Sequence, residues 1–345
     1  MAKVAPLFPI LQSGPSAGPL ARTAAEAPLD STGCLTEYRP LKSQSVLNKT
    51  TSKRGLPFTH AINPYRGCEF ACRYCYARYT HEFLELGTAE FERKIYFKEN
   101  GPWLLEQELK RLKSGTEIAL GTATDPYQPL ERKLGITRSL LEVFARHGGF
   151  KLGIVTKSAL VTRDIDVLKE VARVNRLTVN ITVTTMDRSL ARILEPRAPR
   201  PDLRIQAIRE LRHAGIRAGV LCSPLMPGIT DMRSSIEAVA RAAAEADAQF
   251  MFAGALFLKP CSLPTFFAFV REHFPQLITA YEKRYSASAF VSAEYRNRIR
   301  DLVESIREKY KLGSRYLPDA EFQDALADKM PVAEAQPWLP FAIAS

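Results

Sequence analysis

The chain has no long hydrophobic run. Its longest apolar stretch, Phe250-Met251-Phe252-Ala253-Gly254-Ala255-Leu256-Phe257-Leu258, falls well short of the roughly 20 residues that cross a bilayer, so no membrane partner is expected. The stretch Met1-Ala2-Lys3-Val4-Ala5-Pro6 lacks the basic-then-apolar order of a secretory signal, which points to a cytoplasmic protein. Cysteine is scarce. Six in 345 residues are too few for a disulfide scaffold, and a reducing compartment fits them. No internal repeat suggests a solenoid. An apolar fraction of 46% suffices for a substantial core, so the chain reads as an enzyme-sized globular protein.

Three of those cysteines stand close together, in Asn63-Pro64-Tyr65-Arg66-Gly67-Cys68-Glu69-Phe70-Ala71-Cys72-Arg73-Tyr74-Cys75-Tyr76-Ala77-Arg78. One short loop can bring three thiolates to one metal centre, with Tyr74 just before the last of them. A [4Fe-4S] cluster has four irons to fill, so three ligands leave one iron open for chemistry. Two alternatives compete: a Cys3His zinc site recruiting His81, and a redox dithiol of Cys72 and Cys75. The dithiol leaves Cys68 without a role. A zinc loop more often staples a small module than opens a large α/β core. Cys34 falls in an expected tail, while Cys222 and Cys261 sit in or beside predicted strands and read as small buried thiols.

The formal charge of +11 is compatible with a polyanionic partner such as a nucleic acid. Its densest basic stretch, Asp187 to Arg217, carries Arg188, Arg192, Arg197, Arg200, Arg204, Arg209, Arg212 and Arg217. It reads equally as a solvated helix face or a phosphate-binding surface.

Residues 1–40 are rich in Pro, Ala, Gly and Ser and read as a disordered leader. A lead-in (41–57), a core domain (58–312) and a C-terminal tail (313–345) follow. Within the core, strand-like runs alternate with helix-period stretches: Phe58–Ile62; Glu117–Leu120 then Arg138–Arg146; Lys151–Val155 then Ile165–Val174; Leu177–Thr184 then Leu203–Ala214; Ala218–Leu221 then Ser234–Ala246; and Phe250–Leu258. Repeated βα units force parallel strands, and about six units fall short of the eight of a closed barrel. An open or partial α/β barrel with mostly irregular extensions is expected. Chemistry then collects at the carboxyl ends of the strands. There stand the cysteine loop, Gly121-Thr122-Ala123-Thr124-Asp125, Thr156-Lys157-Ser158, and Ser223-Pro224-Leu225-Met226-Pro227-Gly228. Asn180, Thr182 and Thr184 alternate with apolar neighbours, which aims a polar face at the barrel interior and implies a bound ligand.

The spacing Cys68-x-x-x-Cys72-x-x-Cys75, with Tyr74 in the aromatic place, resembles the defining motif of the radical S-adenosylmethionine (radical SAM) superfamily. Asn63-Pro64-Tyr65-Arg66-Gly67-Cys68, Asp125-Pro126-Tyr127-Gln128-Pro129-Leu130-Glu131, Glu195-Pro196-Arg197-Ala198-Pro199 and Pro224-Leu225-Met226-Pro227-Gly228 are similar to its spore photoproduct lyase-related, DNA repair photolyase-like branch. The resemblance covers about Phe58 to Lys311. It implies a partial (β/α)6 barrel with a [4Fe-4S] cluster on Cys68, Cys72 and Cys75, the fourth iron being completed by S-adenosyl-L-methionine. It further implies reductive cleavage to a 5′-deoxyadenosyl radical that abstracts hydrogen from a substrate, nucleic acid among the candidates. The electron would come from a low-potential donor such as flavodoxin or ferredoxin. An iron–sulfur protein that does not cleave S-adenosyl-L-methionine is the other functional class.

By position at the strand ends, Thr122 and Thr124 are expected to receive the methionine amino group and Lys157 its carboxylate. Thr182 and Thr184 are expected at the ribose, and the Gly228 backbone at the adenine. Each threonine has an alternative role, satisfying a neighbouring backbone group. Arg197 would bind carboxylate or phosphate, or close an ion pair with Asp125, Glu131 or Glu195. Tyr76, Tyr127 and Gln128 either line the substrate side or pack in the core. The hydrogen-donating cysteine expected of spore photoproduct lyase near the end of the second strand has no counterpart in Gly121–Asp125, so the substrate is left open.

Overall fold

The βα alternation builds one parallel sheet. The computed structural model describes residues 18–33, 35–50 and 58–315. In chain order the strands are β1 (Ser31–Thr32), β2 (Glu37–Pro40), β3 (Leu47–Lys49), β4 (His60–Ile62), β5 (Tyr65–Arg66), β6 (Lys94–Phe97), β7 (Glu117–Leu120), β8 (Lys151–Thr156), β9 (Arg176–Thr182), β10 (Ala218–Leu225) and β11 (Met251–Ala255). β4, β7, β8, β9, β10 and β11 neighbour one another in that order, all parallel, and β3 adds antiparallel to β4. These six parallel strands form the expected partial barrel, open between β4 and β11. Among the described residues no helix is long and apolar enough to cross a membrane.

Helices cover the sheet because their apolar residues recur on one face. Helix Ile136–Arg146 buries Ile136, Leu140, Val143 and Phe144, the spacing of a single stripe. Helix Ile165–Val174, which has the bounds read from the sequence, buries Val167, Leu168 and Val171. Helices Pro201–His213 and Arg233–Glu245 complete the crossovers between β9, β10 and β11. Three helices beyond β11, Leu263–His273, Ile278–Arg284 and Ala293–Lys309, were not distinguished in the sequence. The last packs on β11, and Gly313 extends that edge: the Met251 N–H donates to its carbonyl (3.3 Å) and its own N–H donates to Gln249 (3.0 Å).

The expectation of a disordered leader over 1–40 is corrected from Gly18 onward. Pro19–Glu26 is a helix with proline in its first turn, and β1 and β2 follow. The physical reason is that burial here uses small side chains. Ala24 and Ala27 pack with Leu41, Leu84 and Tyr96, so the stretch needs few large apolar residues. β2 runs parallel to β6, and β6 antiparallel to β5, giving a small second sheet. Residues 1–17, Cys34, 51–57 and all of the expected tail from 316 lie outside the described residues.

The small sheet anchors the start of the cysteine loop. Gly67 adopts φ +85°, and a Cβ there would lie 2.7 Å from the Phe91 carbonyl oxygen and 2.8 Å from that of Lys94. Both neighbours are backbone and cannot swing aside. Gly67→Ala is therefore expected to destabilise the protein by about 2–4 kcal/mol, read as a lower urea midpoint. An unchanged midpoint would show that the loop can leave this turn.

Candidate active site at the strand ends

The cysteine loop is held from three sides. The Cys68 N–H donates to the Phe91 carbonyl (3.0 Å) near the small sheet, and the Arg73 N–H to the Leu194 carbonyl (2.9 Å) at the end of helix Arg188–Leu194. The Ser262 hydroxyl, in the turn after β11, donates to the Cys75 carbonyl (2.8 Å). Beneath the loop, the buried Arg78 guanidinium donates to the Cys72 carbonyl (3.4 Å) and pairs with Glu92. Cys68 and Cys72 are buried and Cys75 is half-buried.

Burial pushes all three thiols up, Cys72 to about 12, and neighbouring sulfurs add to the rise at Cys68 and Cys72. They are thus within electrostatic reach of one another, and converting them to thiolates requires a compensating positive centre. Among the described residues no three His, Cys, Asp or Glu side chains close on a single-ion site. The thiolates of a cluster hold separate irons, unlike those of zinc, which converge on one ion. Three soft donors on one loop suit iron–sulfur binding. The zinc alternative loses its fourth ligand as well. His81 is buried against Phe91 and Tyr96, and its Nε2 lies 2.9 Å from the Lys94 carbonyl oxygen.

Behind the loop lies a buried carboxylate. Glu195 Oε1 accepts hydrogen bonds from the Tyr74 hydroxyl and, at 3.4 Å, from Thr184 Oγ1. Its Oε2 lies 2.6 Å from Arg204 Nη1, a charge contact between two fully buried side chains. Burial raises the Glu195 pKa, but Arg204 and Lys157 outweigh it and hold the group below its ordinary value. Lys157 is the reverse case. Burial lowers its pKa, Cys72 and Glu195 raise it further, and the net shift is upward, so its ammonium stays charged. That ammonium lies 5.7 Å from the centre of the Tyr74 ring and has no hydrogen bond or ion pair among the described residues.

Asp125 positions Lys157. Its carboxylate accepts from the Lys157 N–H (2.7 Å), Thr156 Oγ1 (2.6 Å) and the Tyr127 N–H (2.9 Å), which fastens the loop after β7 to the end of β8. Thr124 is occupied in the same joint, donating to the Gly67 carbonyl (2.6 Å), the backbone role that was its alternative. Thr122 is half-buried, with Asn63 Nδ2 3.5 Å from its hydroxyl and the Tyr76 hydroxyl bonded to its carbonyl. Thr182 is buried at the end of β9, where its carbonyl accepts from Arg204 (3.1 Å).

Two expected residues are placed elsewhere. Arg197 pairs with none of Asp125, Glu131 or Glu195; it donates to the Glu92 carbonyl (3.2 Å) outside the loop. The Gly228 N–H is taken by Asp231 Oδ1 (2.8 Å) in an exposed turn. Tyr127 and Gln128 are core residues, and Tyr76 reaches the rim, its ring 5.4 Å from Phe257. Arg204 is the functional neighbour that sequence reasoning missed. It was visible only as one of eight arginines in the basic stretch. The others are also partnered within the chain: Arg188 and Arg200 with Asp202, Arg192 with Pro196, Arg209 with Glu245, Arg212 with Asp247 and Arg217 with Ser314.

Comparison with known proteins agrees with this geometry. The profile of the Radical SAM superfamily matches residues 62–242. The uncharacterized protein Rv2578c of Mycobacterium tuberculosis is 31% identical over 283 residues, covering 81% of this chain and 83% of that one. The uncharacterized protein MJ0683 of Methanocaldococcus jannaschii is 32% identical over 173 residues, covering 50% of this chain and 62% of that one. Among solved structures, a mutant of spore photoproduct lyase with bound AdoMet and dinucleoside spore photoproduct has a TM-score of 0.59 at 14% identity, covering 80% of this chain and 81% of that one. Another mutant of that enzyme has a TM-score of 0.58 at 16% identity, covering 79% of each chain. Those two likenesses concern the fold, while the profile and the mycobacterial relative decide the family: the chain belongs to the radical SAM superfamily.

Proposed function

We propose that this enzyme holds a [4Fe-4S] cluster on Cys68, Cys72 and Cys75, binds S-adenosyl-L-methionine against the strand ends, and abstracts hydrogen from an organic substrate. One observation carries the reading. Lys157 is charged and faces the cysteine loop, and its ammonium has no hydrogen bond or ion pair among the described residues, whereas Arg204 beside it is spent on Glu195. A carboxylate such as that of the methionine moiety is the ligand that such an ammonium lacks. When bound, the cluster and S-adenosyl-L-methionine supply one-electron reductive cleavage of the sulfonium, the source of the hydrogen abstraction.

The chain contributes position. Asp125 fixes the Lys157 backbone, Glu195 fixes Tyr74, and the half-buried Thr122 hydroxyl offers a further contact at the end of β7. Tyr76, Phe257 and Phe290 form an aromatic cluster at the rim, the last two stacked at 5.0 Å. A low-potential flavodoxin- or ferredoxin-type protein is the proposed electron donor. A nucleic-acid substrate draws its support from the formal charge of +11, not from the arginine-rich stretch.

Anaerobically reconstituted, reduced protein is expected to release 5′-deoxyadenosine from S-adenosyl-L-methionine; none from protein with a full, reducible cluster would leave only an iron–sulfur binding or electron-transfer role. Cys72→Ala is expected to lose the brown iron–sulfur absorbance, and a colourless wild type with stoichiometric zinc would overturn the cluster assignment. Lys157→Met should keep its iron content and weaken S-adenosyl-L-methionine binding about 10–100-fold by equilibrium dialysis. Unchanged affinity would remove Lys157 from the site.

A further inference from the structure

Two cations share a face of the β5–β6 pair, Arg66 opposite Tyr96 and Lys98 two residues on, and neither has a counter-charge paired with it among the described residues. Lys98, just past β6, is 4% exposed, and its ammonium makes no hydrogen bond or ion pair among the described residues. Arg66, in β5, is half-buried with its Nε fully enclosed and unpartnered, and no ion pair engages the rest of its guanidinium. Proteins rarely bury a charge without a counter-charge, because its lost hydration must be replaced.

The surroundings do not provide that replacement. Burial, then the repulsion of Arg66, push Lys98 down to about 7. The opposing carboxylate is Glu108, which already accepts from the Leu47 N–H (2.8 Å) and the Val46 N–H (3.2 Å). His81 also feels the repulsion of Arg66, and burial keeps it neutral. Tyr79, the other neighbour of Arg66, carries Lys259 Nζ 3.4 Å from its ring centre and offers Arg66 no carboxylate. Arg66 directly precedes the cysteine loop, Tyr79 follows it, and Lys259 lies beyond β11.

We infer that Arg66 and Lys98 form a binding site for a phosphate-type oxyanion, with the guanidinium fork and the ammonium sharing its oxygens. The inference is independent of the cofactors assigned to the cysteine loop. Two sources share this chemistry: free inorganic phosphate, and a phosphate group carried by a larger substrate.

The test is thermal unfolding of the full-length, cluster-reconstituted protein in phosphate-free buffer, with inorganic phosphate titrated at constant ionic strength. Phosphate is expected to raise the wild-type Tm with a saturating, mass-action dependence. Lys98→Met removes the uncompensated charge at similar length, so without phosphate it should melt at or above the wild-type temperature, while its phosphate affinity falls at least tenfold. Arg66→Gln should lose affinity similarly, and it keeps the test open if the methionine variant does not fold. Glycerol 3-phosphate that competes with phosphate assigns the site to a substrate's phosphate group; failure to compete assigns it to the free anion. The inference is overturned by an unsaturable response, by unchanged affinity in a folded variant, or by Lys98→Met melting well below wild type in phosphate-free buffer.

Discussion

Glu195 has exchanged all of its water for three side chains, and the site depends on that exchange. An isolated buried carboxylate would take up a proton; Arg204, Lys157 and Tyr74 keep this one ionised, and Thr184 adds a further hydrogen bond. Arg204, Tyr74 and Thr184 each come from a different part of the fold: the helix after β9, the cysteine loop and the segment leaving β9. The single negative charge therefore registers these three pieces against one another. It also acts through space. Together with Cys72, it holds Lys157 charged despite burial. Buried ion pairs often contribute little net stability. What this pair does visibly is join the cysteine loop, through Tyr74, to helix Pro201–His213.

The division of labour at Lys157 is instructive. Its backbone N–H is clamped by Asp125, which three donors hold although burial raises its pKa, while its side chain is left unattached. A side chain whose backbone is fixed beforehand has less freedom left to lose on making a contact. The same strategy recurs at Thr124 and Thr156, whose hydroxyls stitch neighbouring loops.

Much of this was legible in the sequence where the signal is local. The six parallel strands declared themselves through apolar runs, and helix Ile165–Val174 through its period, because a residue's burial there follows from its place in a repeating pattern. The cysteine loop was legible because its ligands are adjacent in the chain. Helix Pro19–Glu26 was not, since alanines bury as effectively as larger groups when the partner surface is close. Arg197 misled for the opposite reason. It stands two residues from Glu195, yet the turn between them sends it to Glu92, and Arg204, nine positions away, reaches the carboxylate from the next helix. Contacts of that kind are settled by how helices pack, and no spacing rule encodes them.

An open sheet of parallel strands has two unpaired borders, and each is a template on which another chain can add. Here the β4 side is closed by β3, a three-residue strand that ends in an exposed lysine, Lys49. The β11 side is closed by helix Ala293–Lys309 and by the short pairing with Gly313. The helices that the sequence concealed thus act as a guard against self-association.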